Sequence, residues 1–297
     1  MDPETFISKY EPRKMVAISL AVFAVAFAIL GFTYINTGSP VRLGVEFTGG
    51  TIVTVPIIES EGELAAKLAG YPVLDLRDVG HRYMVQIGPM SDADYRELSA
   101  MITSEYRDPE IKYMGPVYSA RLMEQAKTYI PLSFLFMAVV IFVIFRTPFV
   151  AMTVIFAAFS DIVIAAACMT VVGVSLSMGT VAALLMLIGY SVDSNILLNM
   201  RVFKRRGKIE DKIAGAFRTG LAMTTTTLSA VVALFLVATF SYLVSPAFTQ
   251  INILFDISIV LIFGITAGLM NTWVMNSNAL RWYLARPKKA PARRQKR

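Results

Sequence analysis

The sequence predicts a polytopic α-helical membrane protein with six transmembrane helices and a small α+β domain outside the membrane. Of its 297 residues 56% are hydrophobic, and its mean hydropathy is +0.60, which is too apolar for a water-soluble globule. Six segments approach or exceed the roughly 20 apolar residues that cross a bilayer. They are residues 15–35, 128–145, 149–172, 177–200, 221–242 and 249–275.

The placement of Lys and Arg predicts the orientation. These residues flank the first span on its N-terminal side, separate the second and third spans, follow the fourth and fill the tail, whereas loops 173–176 and 243–248 contain neither. We therefore expect residues 1–14 and the basic tail 281–297 to be cytoplasmic and residues 36–127 to lie outside. Span 15–35 is too long for the apolar region of a cleaved signal peptide, so we expect it to stay as an anchor.

The net charge of +7 comes mostly from these cytoplasmic flanks. Attraction to anionic membrane lipid explains such flanks better than binding to nucleic acid. The lone Cys168 lies within a span, where we expect it to pack.

Residues 36–127 show the composition of a folded water-exposed domain. Strands are predicted at 51–57, 73–79, 83–87 and 111–117, and helices at 60–69 and 91–104. The order β-α-β-β-α-β is that of a ferredoxin-like split fold. The segment shows no metal-ligand spacing and no nucleophile with a base, so we expect no cofactor, no metal and no enzymatic activity. We interpret His81 as a solvated turn residue.

Three carboxylates, Asp161, Asp193 and Asp256, lie inside apolar spans of the predicted five-helix bundle, residues 128–280. A charge at membrane depth is costly, so these are our candidates for proton coupling. Burial favours the neutral form of a carboxyl, so such groups can exchange protons. At 1.5 Å per residue, Asp193 should lie about 10 Å from the inner end of its span, Asp161 near the middle, and Asp256 about 10 Å from the outer end. A neutral Asp bonded across a helix interface is the alternative.

Other polar and small residues in the spans predict helix packing. Thr224–Thr227 can bond to carbonyls or to neighbouring helices, and Gly264 and Gly268 permit close approach to a sister span or a partner. Asn271, Asn276 and Asn278 should add polar contacts near the inner face. Residues 201–220 contain an amphipathic stretch that predicts a segment lying on the cytoplasmic interface.

Two motifs carry a resemblance to a known family. Gly44-Val45-Glu46-Phe47-Thr48-Gly49-Gly50-Thr51 directly follows the first span, and Gly189-Tyr190-Ser191-Val192-Asp193-Ser194-Asn195-Ile196, followed by Arg201, lies in the fourth. They resemble the two signatures of the SecD/SecF family of the Sec protein-export machinery, and the Gly-Tyr-Ser-Val opening is the SecF form. Ser160-Asp161-Ile162 is similar to the His-Asp-Val of bacterial members.

The resemblance covers essentially the whole chain and implies a function in protein export. It implies a subunit of the resistance-nodulation-division superfamily that works with SecD on the SecY channel. Such a subunit promotes movement of unfolded polypeptide across the cytoplasmic membrane, driven by the proton-motive force. We interpret the Gly49-Gly50 turn as structural, and a hinge on which the external domain swings is the alternative.

The chain departs from the bacterial pattern at four positions. Glu46 replaces Asp, Ser160 replaces the His before Asp161, and Ser194 stands where bacterial SecF commonly has Asp. Arg218 falls about one residue out of register with a bacterial Arg that is tied to proton coupling. These departures point to an archaeal branch of the family.

Three alternatives stay open at this point. A small lipid or drug exporter of the same superfamily would share the architecture, although such proteins usually have twelve spans. An intramembrane aspartyl protease would need Gly-x-Gly-Asp, whereas Tyr190-Ser191-Val192 separates Gly189 from Asp193. A translocon assembly factor that uses no proton energy would show the same motifs.

Overall fold

The computed structural model describes residues 11–78, 82–204, 207–244 and 252–285. The helices are α1 (Pro12–Thr37), α2 (Val45–Thr48), α3 (Glu61–Lys67), α4 (Asp92–Glu105), α5 (Pro116–Ile144), α6 (Pro148–Val172), α7 (Met178–Lys204), α8 (Ile209–Val244), α9 (Asn252–Met270) and α10 (Ser277–Leu284), with a π-helical segment, Asn271–Asn276, between the last two. The strands are β1 (Gly50–Pro56), β2 (Val73–Asp78), β3 (Arg82–Ile87) and β4 (Glu110–Met114). Within these described residues, six helical runs are long and apolar enough to cross a membrane, which confirms the predicted fold class.

Proline and glycine define the ends of several membrane helices. Pro12, Pro116 and Pro148 each stand in the first turn of α1, α5 and α6, where proline loses no hydrogen bond. Gly38 and Gly173 close α1 and α6 with φ values of 73° and 84°. That left-handed conformation favours glycine and ends a helix sharply.

The centre of the membrane bundle is formed by α6, α7 and α9, which pack against one another. The half of these helices that lies nearer the β-sheet, here called the outer half, encloses a core that includes Met169, Leu187, Val260 and Ile265. The most apolar stretch of α6 is 61% buried, against 6% for that of α5 and 17% for that of α1. We conclude that α6 lies inside the bundle, whereas α1 and α5 lie at its periphery.

A second core fills the inner half of the bundle and includes the π-helical segment. Ile141, Leu198, Ile213 and Trp273 come from four different membrane runs and are all buried there. A Cβ atom on Gly220 would lie 2.1 Å from a ring carbon of Trp273. The glycine therefore allows α8 to approach the indole ring closely.

The prediction of an interfacial segment at residues 201–220 is wrong. The structure divides this stretch between the end of α7 and the start of α8, which continues without a break into the fifth span. Ile213 and Ala216 are fully buried in the inner core. The amphipathic pattern arises because one side of this stretch packs against protein, so it gives no evidence for a helix lying flat on lipid.

The domain between the first two spans, called the external domain because it lies outside the helical bundle, is a four-stranded sheet. The strand order is β2-β3-β1-β4, with every neighbouring pair antiparallel. Ser60 and Ser91 cap α3 and α4 with reciprocal capping boxes. Leu64 and Leu98 pack with residues of β1 and β3 in one core. This arrangement is consistent with the predicted ferredoxin-like order, and the predicted turn at His81 lies outside the described residues.

Backbone and side-chain contacts connect the external domain to the outer end of the bundle. The Gly44 amide donates to the carbonyl of Leu176 at 2.8 Å, and the Leu176 amide donates to the carbonyl of Arg42 at 2.7 Å. Arg77 of β2 donates to the carbonyl of Gly173 at 3.0 Å. A cavity of about 430 Å³ lies between the sheet and the bundle.

Candidate functional site

Asp161 is the centre of a hydrogen-bonded cluster inside the membrane bundle. Its side chain lies on α6 and is fully buried. The Ser191 hydroxyl of α7 donates to Oδ2 at 2.5 Å, and the Asn271 amide nitrogen donates to Oδ1 at 2.6 Å. The same nitrogen also donates to the Ser160 hydroxyl at 2.9 Å. One carboxyl therefore links three membrane runs.

The partners of Asp161 are neutral. Burial and these two hydrogen bonds, with no charged side chain among the described residues, make up its electrostatic environment. Gly268 of α9 approaches the carboxyl so closely that a Cβ atom there would lie 3.2 Å from Oδ2. The predicted close approach of the Gly264 and Gly268 pair is thus made within the chain, because a Cβ atom on Gly264 would meet Leu187 of α7 at 2.3 Å.

A row of polar side chains on α7 extends the cluster along the bundle. Ser191, Asn195 and Asn199 are spaced four residues apart and are all fully buried. The Asn195 amide donates to the carbonyl of Ser191 at 2.8 Å, and the Asn199 amide donates to the carbonyl of Asn195 at 2.7 Å. Asn276 donates to Oδ1 of Asn195 at 2.6 Å. The second motif therefore presents a polar face to the sixth span.

The π-helical segment begins at Asn271 and ends at Asn276, the two residues that contact Asp161 and Asn195. A π turn widens the helix and shifts the side chains that follow it, and it is frequent at functional sites. The Oδ1 atoms of Asn271 and Asn276 are buried without a hydrogen-bond partner among the described residues. The sequence predicted these asparagines as polar contacts but gave no sign that Asn271 reaches the buried carboxyl.

Asp193, our first candidate for coupling, is exposed on the outside of the bundle. It follows Ser191 by two residues, which is about 3 Å of rise and about 200° of rotation on a helix. Asp193 therefore lies at nearly the same depth as Asp161, on the face of α7 opposite the one that contacts Asp161 through Ser191. The prediction that depth separates them is wrong, because the hydrogen bond from Ser191 brings Asp161 to the level of the second motif.

Other residues of the second motif join α7 to α8. The Tyr190 hydroxyl donates to the Thr224 hydroxyl at 2.7 Å. Arg201 donates to the carbonyl of Gly215 at 2.5 Å and to the Thr219 hydroxyl at 2.7 Å. Both contacts hold the fourth and fifth spans together.

Arg218 and most of the threonine cluster face outward. Arg218 is exposed, beside Thr219 but pointing away from the bundle interior. The hydroxyls of Thr225, Thr226 and Thr227 donate to carbonyls of the preceding turn, as the packing interpretation predicts. Arg218 and Asp193 thus belong to exposed faces of adjacent helices.

Asp256 lies on α9 and lines the cavity beneath the external domain. It precedes Gly268, the neighbour of Asp161, by twelve residues, or about 18 Å along a helix. Charges of Arg77 and Glu46, which line the same cavity, act on it. Asp256 is therefore an outer group that does not contact the Asp161 cluster.

The first motif forms the structural junction between the first span and the sheet. Gly49 and Gly50 have φ values of 77° and 118°, and a Cβ atom on Gly50 would lie 2.2 Å from the carbonyl oxygen of Ile87. Lys112 of β4 donates to Glu46 at 2.5 Å. Phe47 and Thr51 are buried. The glycines are required by the backbone path, and the Glu46 side chain is held by an ion pair.

Comparison with known proteins identifies relatives along almost the entire chain. A family model described as "Protein export membrane protein SecD/SecF, C-terminal" matches residues 95–286, and one described as "SecD/SecF GG Motif" matches residues 37–57. The protein-export membrane protein SecF of Methanolacinia petrolearia is 42% identical over 94% of this chain and 96% of its own length. SecF proteins of Pyrococcus furiosus and Haloferax volcanii are 37% and 38% identical over 93% and 95% of this chain, and 92% and 96% of their own lengths.

The fold is similar to that of a solved membrane protein. The crystal structure of SecDF, a translocon-associated membrane protein from Thermus thermophilus, superposes with a TM-score of 0.73 at 21% identity over 92% of this chain. The chain spans 38% of the length of that SecDF chain. The archaeal relatives confirm the predicted similarity to an archaeal branch.

Proposed function

The chain belongs to the SecF family of protein-export membrane proteins, and we propose from this premise that it works with SecD and uses the proton-motive force. It is a multi-pass membrane protein with an accessory role in Sec-dependent protein export. The proposal adds an energy source and partners: SecD, a SecY-type channel and the emerging unfolded polypeptide.

The observation that carries the proton-motive proposal is the setting of Asp161. A carboxylate held by a lysine or arginine stays charged, whereas one that is buried among hydroxyl and amide groups can exist in either charge state. Asp161 contacts α7 and the sixth span directly. A change in its charge would therefore alter contacts between three membrane runs at once.

We propose that SecD covers the exposed face of α7. This face carries Ala182, Met186, Gly189 and Asp193, all exposed and spaced three or four residues apart. Small residues permit close helix packing in membranes, and a carboxylate facing hydrocarbon is costly unless a partner or water surrounds it. Arg218 on the adjacent helix adds a charge of the opposite sign.

We propose that the external domain acts as the moving part outside the cytoplasmic membrane, with both termini in the cytoplasm. The positive flanks of the spans support this orientation. The domain contacts the bundle through Gly44 and Arg77, and its first strand begins at Gly50, directly after Gly49. Movement of α6 relative to α1 would reach the sheet through these contacts.

We propose a transport function and no catalysis of a covalent reaction. An aspartyl protease dyad needs two carboxyl groups that share a proton. Asp161 instead contacts a serine and an asparagine, and Asp193 faces the opposite side of α7.

The test is export of a preprotein into proteoliposomes that contain the channel, SecD and this chain. Asp161→Asn should lower export with a proton gradient to the level seen without one, while binding to SecD is unchanged. Asp211→Asn, an exposed carboxylate in the first turn of α8, is the control and should respond to the gradient like the wild type. An unchanged response of Asp161→Asn would favour the assembly-factor function, in which the chain uses no proton energy.

A further inference from the structure

We propose that the proton taken up by Asp161 resides on Oδ2 and is exchanged through the Ser191 hydroxyl, with Asn271 as the positioning residue that keeps Oδ1 a hydrogen-bond acceptor. This proposal rests on the proposed proton coupling and names the atoms that perform it. The two carboxyl oxygens have different partners, a hydroxyl at Oδ2 and an amide nitrogen at Oδ1.

The two partners differ in whether they can change between donating and accepting a hydrogen bond. An amide nitrogen carries two hydrogens and donates only, whereas a serine hydroxyl can donate or accept. Asn271 uses its nitrogen toward both Asp161 and Ser160. Oδ1 therefore faces a fixed donor in either charge state, while Oδ2 faces a group that can change direction.

Turning the Asn271 amide would be unfavourable. In the present orientation its nitrogen has two acceptors, and only its Oδ1 atom is without a partner among the described residues. In the turned orientation both hydrogens would point to the side where that oxygen now lies unpartnered. Because unpaired buried donors are costly, Asn271 holds its orientation when the charge of Asp161 changes.

Ser191 has an alternative acceptor when Asp161 is neutral. Serine and threonine hydroxyls in these helices commonly donate to the carbonyl four residues earlier, as Ser258 does to Leu254 at 2.6 Å and Thr266 does to Ile262 at 2.7 Å. For Ser191 that carbonyl belongs to Leu187. When the proton binds Oδ2, the new O–H donates to the Ser191 oxygen and the serine hydrogen turns to its own helix. The net change is one proton gained by Asp161, a reversed direction of the hydrogen bond between α6 and α7, and one new hydrogen bond within α7.

The surroundings of Oδ2 favour exchange at this oxygen. Gly268 leaves free the space that a larger side chain would occupy 3.2 Å from Oδ2. Among the described residues, no titratable side chain contributes to the environment of Asp161 from any packed helix. Ser191 also lies on the motif helix whose opposite face carries Asp193, so proton exchange at Oδ2 occurs at the level of the proposed SecD contact.

The test is infrared difference spectroscopy of the full chain with SecD in lipid. The aspartate carboxyls of this chain are labelled with ¹³C, and spectra recorded at acidic and alkaline pH are subtracted. The C=O band that Asp161→Asn removes reports the protonated Asp161 carboxyl. With the proton on Oδ2, the C=O group is Oδ1, so Asn271→Leu should raise the band frequency because it removes the donor to that oxygen. Ser191→Ala should shift it no more than the control Thr272→Val, a neighbouring buried position.

The opposite result would overturn the proposal. If Ser191→Ala raises the band frequency and Asn271→Leu does not, the proton resides on Oδ1 and the assigned roles are exchanged. Should Asn271→Leu fail to fold, NMR of wild-type protein labelled at the Asn271 amide and the Asp161 carboxyl gives the same answer. We expect their distance to be unchanged across the titration, and lengthening at acidic pH would contradict the proposal.

The export assay separates this proposal from the proposed function. If the Asp161 band titrates and shifts as expected but export does not depend on the proton gradient, the assignment of the proton to Oδ2 holds and the proposed energy coupling is wrong. Shifts opposite to those expected, together with gradient-dependent export that needs Asp161, would keep the coupling and reject the atomic assignment. Ser191→Thr should restore the gradient response that Ser191→Ala loses, since it restores the hydroxyl.

Discussion

The external domain and the membrane bundle hold their buried or partly buried carboxylates in different ways. In the external domain Glu46 and Glu59 each contact a lysine, at 2.5 Å from Lys112 and 2.7 Å from Lys67. In the bundle Asp161 contacts only neutral hydrogen-bond donors among the described residues. An opposite charge fixes a carboxylate in its ionised form, whereas neutral donors allow both forms. The contrast supports the proposal that Asp161 changes its charge, whereas the lysines hold Glu46 and Glu59 ionised.

The largest effect should come from removing the polar character of Asp161. Asp161→Leu leaves one hydrogen of the Asn271 amide without its acceptor, which costs about 1–3 kcal/mol for a buried donor, and removes the bond that joins Ser191 to α6. Asp161→Asn keeps both contacts, because its oxygen can accept from Asn271 and its nitrogen can donate to Ser191. Thermal unfolding of the full chain in lipid should show a clear loss for leucine and a small change for asparagine. Equal stability of the two variants would contradict the hydrogen-bonded cluster.

The next largest effect should distinguish a glycine inside the bundle from a glycine on its exposed face. Gly264→Val should destabilise the chain by about 1–3 kcal/mol through overpacking, because a Cβ atom there would lie 2.3 Å from Leu187. Gly189→Val is the matched control in α7, where a Cβ atom would meet no described atom within 4 Å. We expect normal thermal stability for Gly189→Val but reduced co-purification with SecD. Full SecD binding by this variant would place the partner elsewhere.

A smaller effect tests the external side of the comparison. Glu46→Gln removes the ion pair with Lys112, whose side chain is 40% exposed, so the expected cost is about 1 kcal/mol. Hydrogen exchange of β4 and the first motif in the full chain would detect the loosened junction. Lys112→Met should have an effect of the same size, and the double variant should lose no more than either single one. Additive losses would show that the two side chains act independently.

The smallest effect concerns pH. Hydrogen bonds from Lys67 and Tyr106 hold the pKa of Glu59 below its ordinary value of 4.5. Burial and the contact with Glu59 raise the pKa of Tyr106 to about 12. The stabilisation from Glu59 is therefore complete above pH 4.5 and is lost as the pH falls through the lower folded-state pKa.

Glu59→Gln should remove that acid-side dependence of external-domain protection at a cost below about 1 kcal/mol near neutral pH. Hydrogen exchange of α3 and α4 between pH 3 and pH 7 checks this expectation. If the wild type and Glu59→Gln show the same pH dependence of hydrogen-exchange protection over this range, Glu59 is not the source of the acid-side dependence.

The sequence was sufficient to predict the six spans and the external domain, because long apolar runs and short alternating segments are local properties of the chain. It identified Asp161 as a candidate but missed Asn271 as its partner. That contact depends on the register of the π-helical segment and on the packing of α6 against the sixth span. The spacing of Ser191, Asn195 and Asn199 was a signal that could have indicated the buried polar face of α7.

The sequence predicted the surroundings of residues 201–220 wrongly and did not predict which face of its helix Asp193 occupies, for the same physical reason. The pattern at residues 201–220 and the position of Asp193 each show that a helix has two unlike faces, but not what covers them. In the structure the apolar side of the start of α8 packs on protein at Ile213, and Asp193 faces away from the bundle. Hydrophobic periodicity therefore predicts that the two faces of a helix differ, and only tertiary packing decides what covers each face.

The central claim is that a change in the charge of the buried carboxyl Asp161 couples export to the proton gradient. Asp193 is exposed at the same level of α7, and we propose that it acts in the same proton route, which a double-variant measurement tests most directly. Gradient-driven export would be compared for Asp161→Asn, Asp193→Asn and the combined variant at equal SecD binding. We expect either single change to abolish the gradient response and the combination to add nothing further. Two partial losses that add in the combined variant would contradict a single route.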